Sequence, residues 1–450
     1  MQNIKEIFIA NTAEVFADLL EQTASGNINQ QDRVQQEIDL SQRGQFWGGD
    51  NKIIITPTPI PEVLFQHNID KLGYKNIKNL WPKNPNIRLC NSVLNDLELT
   101  EALIRVFQSN KNVRISSYSV TDAYLNLLRF LKDRVAGWNV TNLPITTNPL
   151  KLVKEIDSKN GFREIVVNLF PRKNIKLPRG FICKTEDGVA KAISFFLNIG
   201  IGFVVKVHNG ESGWGVKIID NDAVQKLKEN KVKDWLRELF ESDLIWKFAP
   251  YIVEEFIPVD KTIGGGFPSS EGHVTDEGFV FDYNCGQEVT KEGSFEGVVL
   301  SKDTILESVN TRMRIGVEAI GNKLYDKGYR GIFDVDFTAG KDGNLYILES
   351  NARVTGGTHV YHLMSHLGIG ESNLYVISND SFCYNMQIQK PKELLARLSN
   401  VLYPVEGQKR GSIVSFVSPN RPVIGVIVIG QNKKDAHSLL QRAKDCLTEY

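Results

Sequence analysis

Residues 328–353 constrain this chain more than any other stretch. Gly-Tyr-Arg-Gly-Ile-Phe-Asp-Val-Asp-Phe (328–337) alternates apolar and polar residues, Thr-Ala-Gly-Lys-Asp-Gly-Asn (338–344) interrupts the run, and Leu-Tyr-Ile-Leu-Glu-Ser-Asn-Ala-Arg (345–353) resumes it. Asp342-Gly343 between two such runs signals a hairpin, because a tight turn needs residues that tolerate positive φ. Side chains two apart on a strand share a face. Asp334 and Asp336 are therefore expected on one face, with Phe333, Val335 and Phe337 opposite. On the returning strand Glu349 and Asn351 share a face, opposite Tyr346, Leu348 and Ser350. A sheet that buries its apolar face exposes the oxygen-bearing one. Oxygen donors that include one or two carboxylates suit Mg²⁺ carrying substrate phosphates. Taken alone, the segment suits a solvated acidic hairpin equally well, and the rest of the chain has to decide.

With 450 residues the chain has length for roughly two to four domains and ample core. Lys plus Arg and Asp plus Glu number 53 each, so no global field draws the chain to nucleic acid or to an anionic membrane, and neither is expected as a partner. Cys90, Cys183, Cys285, Cys383 and Cys446 show no CxxC spacing, which argues against structural zinc and a disulfide framework. No secretory leader pattern opens the sequence, and no apolar run approaches the roughly 18 residues that span a bilayer. The expected location is cytoplasmic.

Along the chain, residues 1–50 are polar and read as helix and loop at the surface. Lys52-Ile-Ile-Ile-Thr56 reads as a buried strand closed by Pro57, Pro59 and Pro61. Helical patterns at 62–72, 96–109 and 119–136 alternate with short apolar runs such as 113–115, which predicts an α/β domain over 1–150. No GxGxxG or Walker loop assigns a nucleotide to it. A second region, 151–384, opens with a helix over 157–170. It continues with a strand at 180–183, a helix at 185–197 with Thr185 as N-cap, strands at 202–207 and 251–257, a helix at 232–242, antiparallel strands at 279–283 and 286–289, and a helix at 302–327 before the hairpin. Residues 385–450 alternate strand and helix as a small α+β cap. The fold class is thus α/β with α+β parts.

Lys206 stands inside the apolar strand Gly202-Phe-Val-Val-Lys-Val207 and directly precedes the loop His208-Asn-Gly-Glu-Ser-Gly-Trp-Gly215. Its glycines allow backbone N–H groups close to phosphate oxygens. Val253-Glu-Glu-Phe-Ile257 could present backbone to a base, and Asp260 could accept from ribose hydroxyls.

This order resembles that of the ATP-grasp superfamily across roughly residues 155–385: Lys159 in Asp-Ser-Lys-Asn-Gly-Phe-Arg, Lys206, the loop 209–215, the acidic strand 253–257, then Asp336, Glu349 and Asn351. Glu-Ser-Asn-Ala-Arg-Val-Thr-Gly-Gly-Thr (349–358) is its most specific part. Gln45-Phe-Trp47, Gly49-Asp-Asn-Lys-Ile-Ile-Ile-Thr-Pro57 and Leu72-Gly-Tyr resemble the pre-ATP-grasp domain of a narrower group of peptide ligases. That group includes the pheganomycin-type peptide ligase and the butirosin glutamate–carrier-protein ligase.

The resemblance implies an ATP-grasp fold with an N-terminal pre-ATP-grasp domain and a C-terminal cap. It assigns Lys159 and Lys206 to ATP phosphates under a cover that includes Gly210, Ser212, Gly213, Trp214 and Gly215. Glu254, Glu255, Phe256 and Ile257 would line the adenine site and Asp260 the ribose. Asp336, Glu349 and Asn351 would hold two Mg²⁺ ions, with Mn²⁺ as a substitute. Gly356, Gly357, Thr358 and His359 would approach substrate. D-Ala–D-Ala ligases carry an arginine two residues before the metal aspartate, whereas this chain has Asp334 there, so the oxyanion role falls to Arg353 or Arg330. The implied activity joins a carboxylate to an amine of an amino acid or peptide by way of an acyl phosphate. Alternatives are a carrier-protein thiol as acceptor, and a nucleotide-binding protein without turnover. A homodimer is compatible with the resemblance. His67, His273 and His437 read as surface residues, and His362 with His366 as a helix-packing pair.

Overall fold

The computed structural model describes residues 3–23, 28–170, 175–210, 213–227, 231–290, 293–370, 373–384 and 390–448. They form two compact units, one of Met1–Leu143, Gly297–Lys302 and Arg353–Tyr450, the other of Pro144–Glu296 and Asp303–Ala352.

The first unit opens with a parallel sheet of β1 (Glu6–Ile9), β2 (Lys52–Ile55), β3 (Ile77–Leu80), β4 (Val113–Ser117) and β5 (Trp138–Val140), in the order β3-β2-β1-β4-β5. Ile7, Ile53, Ile54 and Ile55 are all fully buried, as expected where helices cover both faces of a parallel sheet. Here the surface reading of residues 1–50 is corrected. Glu6–Ile9 is the central strand, too short to stand out of its polar surroundings and stabilised by pairing with β2 and β4. The expected helices at 62–72, 96–109 and 119–136 are found at Glu62–Leu72, Leu97–Ser109 and Asp122–Lys132. Lys52 is fully buried at the start of β2, where its ammonium donates to the Trp47 carbonyl and lies 4.8 Å from the Tyr74 ring centroid. Burial lowers its pKa to about 7, against the opposing fields of Glu6 and Asp50.

The second unit holds two sheets. The larger contains β6 (Ile175–Lys176), and the smaller contains β7 (Gly180–Cys183), β8 (Phe203–Val207), β9 (Val216–Ile219) and β10 (Tyr251–Glu255), ordered β7-β10-β8-β9. The helix Glu186–Asn198 starts at Thr185, whose hydroxyl accepts from the Gly188 N–H at 3.2 Å. A single helix over 157–170 does not form. Pro149–Asp157 and Lys159–Val166 are separate helices, broken at Ser158, whose side chain caps the second by accepting from the Gly161 N–H at 3.3 Å. The larger sheet continues with β11 (Pro268–Thr275), β12 (Gly278–Val289), β14 (Gly331–Ala339) and β15 (Leu345–Asn351), ordered β12-β11-β14-β15-β6. β12 is one strand where the sequence suggested two, and the following helix starts at Glu307 rather than 302.

Between these comes β13 (Phe295–Leu300), whose last four residues belong to the first unit. There it pairs with β16 (Tyr375–Cys383), followed by β17 (Gly411–Val417) and β18 (Val423–Gly430) in the order β17-β18-β16-β13. Residues 385–450, expected as a cap, share a core with N-terminal residues: Leu64 packs in one cluster with Tyr375, Ile377, Leu394, Val414, Val428 and Leu447. Gln42, Gln45 and Asn68 donate to the backbone carbonyls of Val417, Ser415 and Val414. In this chain, therefore, the Gln45-Phe-Trp47 motif anchors β17.

Candidate active site

The carboxylate hairpin forms as β14 and β15, with Asp336 opposite Glu349 and Asp334 opposite Asn351. The alternation holds on β14, where Phe333, Val335 and Phe337 are buried at 0–1% exposure. It fails on β15. The register passes from Asp336↔Glu349 to Phe337↔Ile347 and leaves Leu348 unpaired as a bulge. Cross-strand partners share a face. Ile347 therefore joins Phe337 in the core, and Tyr346, paired with Thr338, moves to the face of Asp334 and Asp336, contrary to the strict two-residue reading. The bulge is what lets an apolar Ile347 and an acidic Glu349 point to opposite sides although they are two apart.

On this face Lys159 stands at the first position of its helix, 8% exposed. Its ammonium lies 2.6 Å from Glu349 Oε2 and donates to the Gly210 carbonyl at 2.6 Å. One side chain thus links the acidic hairpin to the glycine loop. Gln287 Nε2 donates to Asp336 Oδ1 at 2.6 Å. Asp334 accepts from both the backbone N–H (2.8 Å) and the side-chain amide (3.0 Å) of Asn351. Burial, then the nearby Glu349, pushes the Asp336 carboxyl up to about 6. Burial and then Asp336 hold Asp334 well above the usual carboxylate range, and the buried Glu271 adds to its field. Four carboxylates, at 271, 334, 336 and 349, crowd a region in which Lys159 supplies positive charge, and their mutual repulsion adds to the burial that raises Asp334 and Asp336.

The donor chemistry fits a hard divalent cation. Asp336 and Glu349 are paired carboxylates, Asn351 adds an amide oxygen, and a cation there would relieve their repulsion. Among the described residues no three His, Cys, Asp or Glu side chains gather closely enough to hold a metal alone. A cation at this hairpin would thus complete its shell with substrate phosphate and water, as Mg²⁺ does.

On the smaller sheet Lys206 is buried (7% exposed) and paired with Glu254 Oε1 (4% exposed), while Arg163 approaches Glu254 Oε2 at 3.4 Å. Arg163 escaped the sequence reading. Its spacing of four from Lys159 on one helix was the available signal. Gln287 carried no signal beyond its place on a strand. The turn joining β8 and β9 needs its glycines. Gly213 and Gly215 have φ of +83° and +75°, and a Cβ on Gly215 would lie 2.3 Å from Val207 Cγ2. Trp214 donates through Nε1 to Asp243 at 3.0 Å. Ser212 lies outside the described residues.

Glu255 is bound by Arg179 through its backbone N–H (2.7 Å) and guanidinium (3.1 Å). The backbone N–H groups of Glu255 and Phe256 already donate to Arg179 and Gly202 carbonyls, so neither is left for a base, and Ile257 follows at the end of β10. Asp260 accepts from the Thr262 hydroxyl (2.7 Å) and N–H (3.0 Å), which lowers its pKa.

Arg330 is not part of this assembly. It pairs with Asp276 at 3.0 Å and lies over Tyr325, six residues or about 20 Å of extended strand before Asp336. Arg353, Gly356, Gly357, Thr358 and His359 belong to the first unit. There Arg353 is buried with its guanidinium 5.4 Å from the Phe16 ring centroid. Gly357 precedes the helix Thr358–His366, whose Thr358 hydroxyl accepts from the Thr355 N–H at 2.9 Å. His359 is fully buried 6.4 Å from the Phe46 ring, and burial holds its pKa well below the usual histidine range. His366 stacks on Tyr74 at 3.7 Å and His362 Nδ1 accepts from the Gly48 N–H, so this pair serves packing.

Two buried lysines thus stand beside a glycine turn, with an acidic β-ribbon next to one of them, and the comparisons with known proteins bear on the fold that carries them. Biotin carboxylase from Campylobacter jejuni, solved as a β-γ-ATP complex, superposes with a TM-score of 0.59 at 13% identity, covering 99% of this chain and 91% of that one. N5-carboxyaminoimidazole ribonucleotide synthetase from Thermus thermophilus superposes with a TM-score of 0.53 at 12% identity, covering 99% of each chain. The chain has the ATP-grasp fold. In sequence it resembles the butirosin acyl-carrier protein–L-glutamate ligase of Niallia circulans, with 23% identity over 231 residues. That match takes in 50% of this chain and 49% of the relative, so it spans about half of each. No family model matches the sequence. No described helix is long and apolar enough to cross a membrane.

Proposed function

We propose that this chain is an ATP-dependent ligase that activates a carboxylate as an acyl phosphate and transfers the acyl group to an amine, forming an amide or peptide bond in a biosynthetic pathway. One observation carries the reading: Lys159 connects the Glu349 carboxylate with the Gly210 carbonyl, so a single ammonium links the hairpin proposed to hold the cation with the loop proposed to cover phosphate.

A carboxylate resists amines at neutral pH because oxide is a poor leaving group, and phosphorylation supplies a good one. The phosphoryl transfer gathers negative charge on oxygen, so the protein's share is positioning and electrostatics. Lys159 and Lys206 would exchange Glu349 and Glu254 for phosphate oxygens. Asp336, Glu349 and Asn351 would hold Mg²⁺, which when bound offsets phosphate charge. On the resemblance, Arg353 is the arginine we assign to the reacting carboxylate, with Gly356, Gly357, Thr358 and His359 toward substrate. Trp214 and the glycine turn would limit water, which would otherwise hydrolyse the acyl phosphate. We place the reaction in the cytoplasm, where ATP is supplied.

The relative's name favours a second reading with the same activation, in which a carrier-protein thiol accepts an amino acid such as glutamate. Coupled detection of ADP and phosphate over an amino-acid panel tests the shared step; AMP and pyrophosphate would refute it. Intact mass of a carrier protein after incubation separates thiol from amine acceptors. Glu349→Ala is expected to abolish ADP release, and undiminished release would refute the site assignment.

A further inference from the structure

We infer that Asp334 is a positioning residue, one that turns the side-chain amide of Asn351 so that its oxygen, and not its nitrogen, is offered to the cation. The inference rests on the ligase site proposed above and explains what occupies the position where D-Ala–D-Ala ligases carry an arginine. A carboxylate there cannot stabilise an oxyanion, so the residue must act otherwise or merely fill space.

The geometry gives it a definite act. Asp334 and Asn351 are register partners on β14 and β15. A single oxygen, Asp334 Oδ1, accepts two donors from Asn351, the backbone N–H at 2.8 Å and Nδ2 at 3.0 Å. Both contacts run from nitrogen to oxygen, and the flipped amide would set its oxygen against the lone pairs of an ionised Asp334. The NH₂ group is thereby committed to Asp334, and Asn351 Oδ1 is turned away from it. The β14–β15 ladder fixes this register, and Ser350 Oγ adds to it by donating to the Asp334 carbonyl at 2.6 Å. Asp334 is 4% exposed and thus spends its carboxylate inside the sheet. Asp336, two residues on along β14 and facing the same way, receives the parallel service from Gln287. Both proposed cation ligands of the β14–β15 ribbon other than Glu349 are thus oriented by a neighbour, as metal ligands require.

The test measures Mn²⁺ binding to the full chain in the presence of a non-hydrolysable ATP analogue, from the loss of the free-ion electron paramagnetic resonance signal. Asp334→Ala should weaken Mn²⁺ by about tenfold. Asn351→Ala should weaken it at least as much, and the double variant no further than Asn351→Ala. Asp334→Asn, whose amide oxygen can accept the same two N–H groups, should stay near the unaltered protein. Binding of the analogue in excess chelator should be equal throughout. Additive losses in the double variant, or full Mn²⁺ affinity in Asp334→Ala, would overturn the inference. If Asp334→Ala does not fold, Asn351→Asp provides the alternative: it should lose Mn²⁺ through two facing carboxylates and regain it when combined with Asp334→Asn, and failure of that rescue overturns the inference equally. An unaltered protein that takes up no Mn²⁺ with the analogue would instead remove the ligase-site reading itself, a distinguishable result.

Discussion

Replacing Lys206 by methionine separates what the buried Lys206–Glu254 pair does for the fold from what it would do for a nucleotide. Both side chains are nearly inaccessible, at 7% and 4% exposure. Removing one member of such a pair strands the other charge and typically costs about 3–5 kcal/mol. Arg163 remains 3.4 Å from the other Glu254 oxygen. At an effective dielectric near 20, charges at that spacing attract by about 5 kcal/mol before desolvation is subtracted. This softens the loss, and we expect the low end, about 3 kcal/mol, or more than a hundredfold in the unfolding equilibrium. The double variant Lys206→Met/Glu254→Gln removes the stranded carboxylate and leaves Arg163 to the Pro178 carbonyl and solvent, so it should recover part of that stability. It should not recover ATP affinity, since the ammonium proposed for phosphate is gone, and a charge-assisted hydrogen bond is worth about 1.5–3 kcal/mol. Urea unfolding followed by tryptophan fluorescence gives the first quantity, and titration calorimetry with ATP the second. A Lys206→Met protein as stable as the parent would refute the burial argument. A double variant with parental ATP affinity would refute the phosphate role.

Two further outcomes follow from the same reasoning. Gly215→Ala must hold an L-residue at φ +75° with its Cβ against Val207, and should destabilise the β8–β9 turn by about 1–3 kcal/mol; faster amide hydrogen exchange across 203–219 would register it, and unchanged exchange would contradict it. Lys52 has a folded-state pKa near 7 against 10.5 when free, so between those values the unfolded chain binds more protons and stability climbs with pH. The slope is at most about 1.4 kcal/mol per pH unit, present above pH 7 and absent below it. Lys52→Met should lose it, as compared by urea unfolding at pH 7 and pH 9, and identical pH dependence in both proteins would show Lys52 charged where it lies.

The elements that carry the candidate site are legible in the sequence because their signals are local. The strand-borne Lys206 and its glycine loop, the hairpin around Asp342-Gly343, and the order of lysines before carboxylates are all properties of short segments, and each of these elements forms within a few residues of its expected bounds. What escaped depends on pairing. Glu6–Ile9 carries three apolar residues and becomes a sheet centre only because β2 and β4 flank it. The face of Tyr346 was misread because a bulge is a property of two strands, invisible in one. Arg330 stands beside Arg353 as an oxyanion candidate on residue type alone, and only the distance along β14 and the Asp276 partner speak against it.

Residue types and their spacing alone determined that this chain carries an oxygen-rich β-ribbon downstream of two lysines, since backbone alternation and turn preference act over a handful of residues. Only the tertiary structure decided which groups meet: that Lys159 rests on Glu349, that Glu254 receives both Lys206 and Arg163, and that Asp334 grips Asn351. Apart from the hairpin pair, these encounters join residues far apart along the chain. Their energies depend on burial and on register, which a linear string does not specify.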